Sequence, residues 1–211
     1  MKLIAHRGLW KDRSQENRLR SFQDAFDLNF GIETDLRSFK GKLFLSHDPI
    51  LDSSKHDSFE SLLELATHYP RLPVFLNIKE DGLLPLINQH RGALEKINVI
   101  FFDMSVPELI QYAKSYPPNH LATRVSEFET SPAAIELCDW VWVDGFTREI
   151  KPAVLESMVK SHTKNWAFVS PELHGRAAEG FWNTLAQANY LPQNQVFLCT
   201  DLPHEYLRRA A

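Results

Sequence analysis

The sequence predicts a single α/β domain spanning residues 1–211, a (β/α)8 TIM barrel with an extra antiparallel hairpin strand after the second strand. Short apolar runs alternate with amphipathic helical stretches from end to end, the pattern of a parallel sheet covered by helices. One connection, residues 37–42, is too short to be a parallel crossover, which needs a dozen residues or more, and so marks a hairpin. The count is then nine strands, eight of them spaced by helices. Alternation alone equally allows an open doubly wound sheet, and 211 residues is short beside the roughly 250 that eight βα units usually take.

The strands are expected at 3–5, 31–35, 43–46, 74–78, 98–102, 120–123, 140–143, 166–169 and 196–199. Most are rich in Val, Ile, Phe and Trp without strict alternation, as suits strands buried on both faces. Leu19, Phe22 and Phe26 share one face of a helix near 17–29, and Phe59, Leu62, Leu63 and Ala66 do so near 58–67. Ser105-Val106-Pro107-Glu108 has the form of a capping box with proline at the first helical position, and Ser131-Pro132 is expected to open another helix in the same way. No repeat, low-complexity tract or linker divides the chain.

Composition narrows the function classes. A hydrophobic fraction of 44% excludes a disordered chain, and a net charge of −4 gives no reason to expect nucleic acid as a partner. No apolar stretch approaches the ~20 residues of a membrane helix, so no stable membrane association is expected. The two cysteines, Cys138 and Cys199, lie in apolar strand-like runs and do not suggest a disulfide framework. The opening Met1-Lys2-Leu3-Ile4-Ala5-His6-Arg7 leaves no room for a signal peptide. A soluble cytoplasmic protein is the expectation.

In α/β barrels the working residues sit at the C-terminal ends of the strands. Here those ends carry His6-Arg7, Glu33 and Asp35, then Asn77 and Lys79. The hairpin, folding about residues 39–42, sets Thr34 roughly opposite His47 and brings that imidazole back towards Glu33 and Asp35. Glu33 and Asp35 are two apart on one strand, so both carboxylates point to the same side. Two buried anions need a cation: either a hard divalent ion such as Mg²⁺, Ca²⁺ or Mn²⁺, or a salt-bridge cluster with Arg7 and Lys79. Two histidines, an acidic pair, an arginine and a lysine at one mouth suit attack at phosphorus. The cations hold phosphoryl oxygens, one imidazole takes a proton and the other protonates the leaving alkoxide. A small phosphodiester, whose leaving group needs a general acid, is the expected substrate class.

These residues and their order resemble the glycerophosphodiester phosphodiesterase family: His6-Arg7-Gly8, Glu16-Asn17, Gly31-Ile32-Glu33-Thr34-Asp35, Ser46-His47-Asp48-Pro49, Lys79, Phe102-Asp103 and Thr200-Asp201-Leu202-Pro203. The resemblance implies a phospholipase-C-like barrel and a divalent metal, Mg or Ca, with Mn a further candidate. It implies His6 and His47 as the acid/base pair, Arg7 and Lys79 on the phosphate, and Glu33 and Asp35 as metal ligands. Glu16 and Asn17 then shape the first loop, with Asn17 set near His6.

Two departures stand out. Where the family has a Glu-x-Lys pattern this chain has Asn77-Ile78-Lys79, which keeps an oxygen donor but loses its charge. Glu80 faces the wrong side to replace it, leaving Glu172 and His174 after the seventh barrel strand as candidates. The segment after His47-Asp48 is also short, which implies a loss of most of the family's usual insertion and a pocket more open on that side. Sphingomyelinase D-type phospholipases resemble the same plan, but are secreted and disulfide-bonded. Asn77 also keeps a second class in view, a barrel that binds a phosphorylated ligand without hydrolysing it. Trp10 is placed by sequence either at the mouth or as a cap. Asp144 is read as a turn former, Asp201 as an organiser of the closing loop, and His56, His68, His90, His162 and His204 as surface residues.

Overall fold

The computed structural model describes residues 1–210. Eight parallel strands curve into a barrel: β1 (Lys2–His6), β2 (Gly31–Phe39), β4 (Pro73–Ile78), β5 (Asn98–Phe102), β6 (Ala122–Val125), β7 (Trp140–Val143), β8 (Asn165–Val169) and β9 (Val196–Thr200). The ninth, β3 (Lys42–Leu45), pairs antiparallel with β2, Phe39 opposite Lys42 and Leu36 opposite Leu45. That register extrapolates to the Thr34–His47 juxtaposition expected from the turn. Hydrogen-bonded neighbours run β5-β4-β2-β1-β9-β8-β7-β6. The ring closes only at a seam between β5 and β6, where a single bridge joins Phe101 to Leu121 and the His120 ring meets the Val99 carbonyl at 2.7 Å.

Strand alternation separates two cores. One face of the strands points inward, where Ile4, Phe75, Ile100, Phe102, Trp140, Trp142, Phe197 and Cys199 fill the barrel. The rings interlock, with Phe102 and Trp142 centroids 4.1 Å apart and Phe75 and Trp140 5.1 Å apart. This aromatic plug fills the barrel interior and leaves the polar side chains to the rim above it. The other face packs against the helices. In α1 (Leu19–Asp27), Phe22 and Phe26 are buried as their spacing requires, and Phe26 stacks on Tyr69. In α2 (Phe59–Ala66), Phe59, Leu62, Leu63 and Ala66 are buried, and Ser58 caps the first turn. The remaining helices are α3 (Leu84–Asn88), α4 (Arg91–Leu94), α5 (Val106–Ser115), α6 (Pro152–Ser161), α7 (Glu179–Gln187) and α8 (Pro203–Ala210).

Two local expectations are corrected. Ser105 does cap α5 by accepting from the Glu108 amide, but Val106 takes the first helical position and Pro107 the second. The Glu108 carboxylate leaves the box and accepts instead from the Gly82 amide. No α-helix follows Ser131-Pro132; there is only a 3-10 turn at Ile135–Leu137, after Ala134 in the left-handed region. Side-chain hydrogen bonds compete with helix formation here: Thr123 donates to the Ala133 carbonyl, and the Ser126 hydroxyl accepts from the Phe128 and Glu129 amides. Cys138 precedes β7 rather than lying within a strand, and both cysteines are buried free thiols. Among the described residues no helix is long and apolar enough to cross a membrane.

Candidate active site

The same alternation that builds the plug lifts polar side chains above it. Ile4 faces the interior, so His6 faces it one layer higher, and register places His6 beside Glu33 and Asp35 beside Asn77. Glu33, Asp35 and Asn77 are all buried. His6, Glu33, Asp35, Asn77 and Lys79 are therefore brought together at one side of the mouth.

His6 is held from the far end of the chain. Its Nδ1 lies 2.6 Å from Asp201 Oδ1, and its Nε2 is 3.8 Å from Glu33 Oε2. An ionised carboxylate only accepts, so Nδ1 carries the proton and Nε2 is left towards Glu33. Burial opposes the imidazolium, but the Asp201 hydrogen bond and the Glu33 charge outweigh it and raise the His6 pKa. By sequence Asp201 is read chiefly as an organiser of the closing loop; the structure adds its contact with His6. Nothing local could have signalled it, since the pairing exists only because β9 lies beside β1. Glu172 supports Asp201: its carboxylate accepts from the Asp201 amide and from the Ser170 and Thr200 hydroxyls. That engagement makes Glu172 a brace for the closing loop rather than a free replacement for the missing acid. His174 is likewise taken up elsewhere, its Nε2 lying 2.7 Å from Asp144 Oδ1, so Asp144 is more than a turn former.

Asp35 is the electrostatic centre. Arg7 Nε and Lys79 Nζ each lie 3.0 Å from its oxygens, and Asn17 Nδ2 donates at 2.9 Å. Burial would raise its pKa, but Lys79, Arg7 and the Asn17 bond lower it below the usual carboxylate range. Glu33 goes the other way: burial and the neighbouring Asp35 charge push it to about 7. Asn17 thus sits on Asp35 rather than on His6, with its Oδ1 also accepting from Thr34 Oγ1 at 2.8 Å. Glu16 accepts from Arg7 Nη1 at 2.7 Å, and Trp10 braces β1 by donating to the His6 carbonyl at 3.0 Å.

The loop that carries Arg7 is bent by its own backbone. Arg7 has φ of 54° and Asn17 of 56°, conformations unfavourable for most side chains though tolerated by asparagine. Gly8 follows at φ 91°, and a Cβ there would meet Ser21 at 2.8 Å. His47 arrives on the chain leaving β3. It is exposed, with Nδ1 2.9 Å from Asp48, and its carbonyl accepts from Arg37 Nε at 2.9 Å. Arg37 also pairs with Glu80 at 3.5 Å, and the Glu80 carboxylate accepts from the Ser38 amide and hydroxyl, so Glu80 is engaged with β2 rather than free to replace an acid. Neither Arg37 nor its role was legible beforehand. An open cleft of about 700 Å³ is lined by Arg7, Asn17 and His47 together with residues of both loops. Across the mouth, Asp103 pairs with Arg124.

The donor chemistry fits a hard divalent ion. Glu33 Oε2 and Asn77 Oδ1 are buried acceptors without a hydrogen-bond partner among the described residues, and Asp35 lies beside Asn77. Oxygen donors of this kind select Mg²⁺, Ca²⁺ or Mn²⁺ over softer metals. The charge is less than a three-carboxylate site would give, and Asp35 is already compensated by Arg7 and Lys79.

No protein-family model matches the chain, and no curated protein matches it by sequence. Solved structures do match. A glycerophosphodiester phosphodiesterase from Parabacteroides distasonis is 18% identical with a TM-score of 0.67, covering 100% of this chain and 98% of that one. One from Agrobacterium tumefaciens is 16% identical with a TM-score of 0.70, covering 100% and 99%. A glycerophosphoryl diester phosphodiesterase, also from Parabacteroides distasonis, is 14% identical with a TM-score of 0.71, covering 98% and 85%. By fold, then, this chain is a (β/α)8 barrel similar to these phosphodiesterase structures.

Proposed function

We propose that the protein is a phosphoric diester hydrolase acting on a glycerophosphodiester or a similar small phosphodiester. The observation that carries this is the convergence of His6, oriented by Asp201 at 2.6 Å, with Arg7 and Lys79 around Asp35, beside a cleft that also takes in His47. The three solved structures that share the fold bear the names of phosphodiesterases, which supports the same reading.

In this mechanism the phosphoryl oxygens rest against Arg7 and Lys79, whose charges stabilise the negative charge that builds up as the nucleophile attacks. One imidazole accepts the proton of the attacking hydroxyl and the other donates a proton to the departing alkoxide. Asp201 keeps the His6 ring in one tautomer and one orientation. Glu33, Asp35 and Asn77 would hold a divalent ion, which when bound supplies Lewis-acid stabilisation of phosphoryl charge.

The test is a screen of Mg²⁺, Ca²⁺ and Mn²⁺ against glycerophosphocholine, glycerophosphoethanolamine and an aryl phosphodiester, with products identified. Hydrolysis by the wild type, lost by at least about a hundredfold in His6→Ala and His47→Ala with unchanged melting, is the expected result. Retained activity in both variants would overturn the mechanism.

Asn77 favours a second reading, a barrel that binds a phosphorylated ligand without cleaving it. Asn77→Glu separates the two. Tighter Mn²⁺ binding by calorimetry together with higher activity at low metal marks an enzyme with one ligand charge removed. Absence of hydrolysis in both forms at saturating metal favours the binder.

A further inference from the structure

The cleft beside the mouth has a charge arrangement that the proposed chemistry does not use. Its wall includes Arg13, Arg18 and Lys55, alongside the mouth residues Arg7 and His47. We propose that this cleft holds the alcohol portion of the substrate, and that this alcohol carries a phosphate monoester recognised by Arg13, Arg18 and Lys55. The proposal rests on the phosphodiesterase reading and specifies its substrate class.

The acids and the cations of this cleft are unequally paired. The acids of the cleft are already engaged: Glu16 accepts from Arg7 at 2.7 Å, Asp48 lies 2.9 Å from His47 Nδ1, and Asp52 accepts from the Ser54 amide and hydroxyl at 3.0 and 2.8 Å. The three cations are held more loosely: Arg13 makes a 4.0 Å ion pair with Glu16 and Arg18 a 3.7 Å ion pair with Asp57, both beyond hydrogen-bond distance. Asp57 is itself occupied by the Leu19 amide at 2.8 Å. Lys55 makes no ion pair, and none of the three donates a side-chain hydrogen bond among the described residues. Their donors are therefore available to an incoming anion. Three cations suit a dianion better than a single carboxylate, and two are guanidinium forks that match phosphate oxygens. The volume, about 700 Å³, is of the size that holds a small ligand. Arg7 and His47 on the same wall place such a ligand next to the groups proposed to act on its diester.

The experiment uses a matched pair of substrates, glycerophosphoinositol and glycerophosphoinositol 4-phosphate, with the wild type and the triple variant Arg13→Gln, Arg18→Gln, Lys55→Gln. The wild type is expected to prefer the phosphorylated substrate by about tenfold in kcat/KM at low ionic strength, with the preference shrinking as salt rises, since exposed charges are screened. The triple variant should lose the preference, keep its rate on glycerophosphoinositol and melt as the wild type does. Equal use of both substrates by the wild type, or a preference retained by the triple variant, overturns the proposal. Calorimetry with inositol 1,4-bisphosphate reads the subsite without turnover. Binding lost in the triple variant, with no diester hydrolysed by either protein, would sustain the subsite and sink the hydrolase reading. Hydrolysis without bisphosphate binding would do the reverse. A parallel cosedimentation with phosphatidylcholine vesicles containing phosphatidylinositol 4-phosphate distinguishes the source of the group. Free protein beside bound bisphosphate supports a soluble substrate, and retention lost in the triple variant moves the same subsite to a lipid headgroup.

Discussion

His6 ends β1 and Asp201 directly follows β9, and the 2.6 Å contact between them ties the most buried imidazole of the mouth to the closure of β9 on β1. If Asp201 fixes the tautomer, Asp201→Asn should lower kcat about tenfold or more while leaving KM within a factor of two, because an amide no longer demands an Nδ1 proton. A purely structural role would lower stability without this split, so steady-state kinetics beside a thermal melt decides it. The other mouth residues were readable from local rules. Two-residue spacing put Glu33 and Asp35 on one face, and strand ends gave His6, Asn77 and Lys79. What local rules could not give was pairing: which carboxylate meets His6, that Asn17 serves Asp35, and that Glu172 is committed to Thr200 and Ser170. Those facts depend on which strands become neighbours across the whole ring.

Between strands, the loop from β1 to α1 does the most to place charge. It turns through Arg7 and Gly8, both at positive φ, and lays Gly8 against Ser21 of α1. Gly8→Ala combines an unfavourable backbone conformation with a Cβ at 2.8 Å from Ser21. It should cost about 2 kcal/mol or more in urea unfolding and weaken phosphate binding through Arg7. A glycine after His-Arg was visible in sequence; the approach of α1 that makes it necessary was not. The failed helix after Ser131-Pro132 teaches the converse, since a cap signal counts for little where Thr123 and Ser126 already hold the backbone in turns. Glu127 in that same connection accepts from the Phe146 and Thr147 amides and the Thr147 hydroxyl. Burial opposes its ionisation, yet these bonds together outweigh it and pull its pKa from 4.5 to about 2. A carboxyl depressed in the folded state adds stability that is complete above the unfolded value and is lost as pH falls towards the folded one. Glu127→Gln should therefore flatten the decline in melting temperature between pH 4.5 and about 2, and an unchanged slope would count against these bonds.

The barrel as a whole was legible in outline because eight helix-spaced strands leave few topologies, and the hairpin removed the surplus one. Its uneven closure was not legible, because β5 is as apolar as strands with full ladders, and β6, though it carries Thr123 and Arg124, still pairs with β7 along its whole length. The seam at Phe101 and Leu121 stands away from His6, Glu33 and Asp35, with β4 and β5 on one side and β6 to β9 on the other. It also marks a place to cut. Around the sheet from β6 to β5, strands follow one another in chain order apart from the single step from β9 back to β1. The exposed Pro117–Asn119 stretch lies at the seam, while α8 packs beside β1. A circular permutant that begins at Pro118 and joins the segment after α8 to β1 by a flexible linker converts that step into a local one. Lower contact order speeds folding, so the permutant should keep its circular dichroism spectrum and refold faster than the parent. On that view the molecule is a twisted ribbon whose ends barely clasp, with β1 and β9 side by side in its middle.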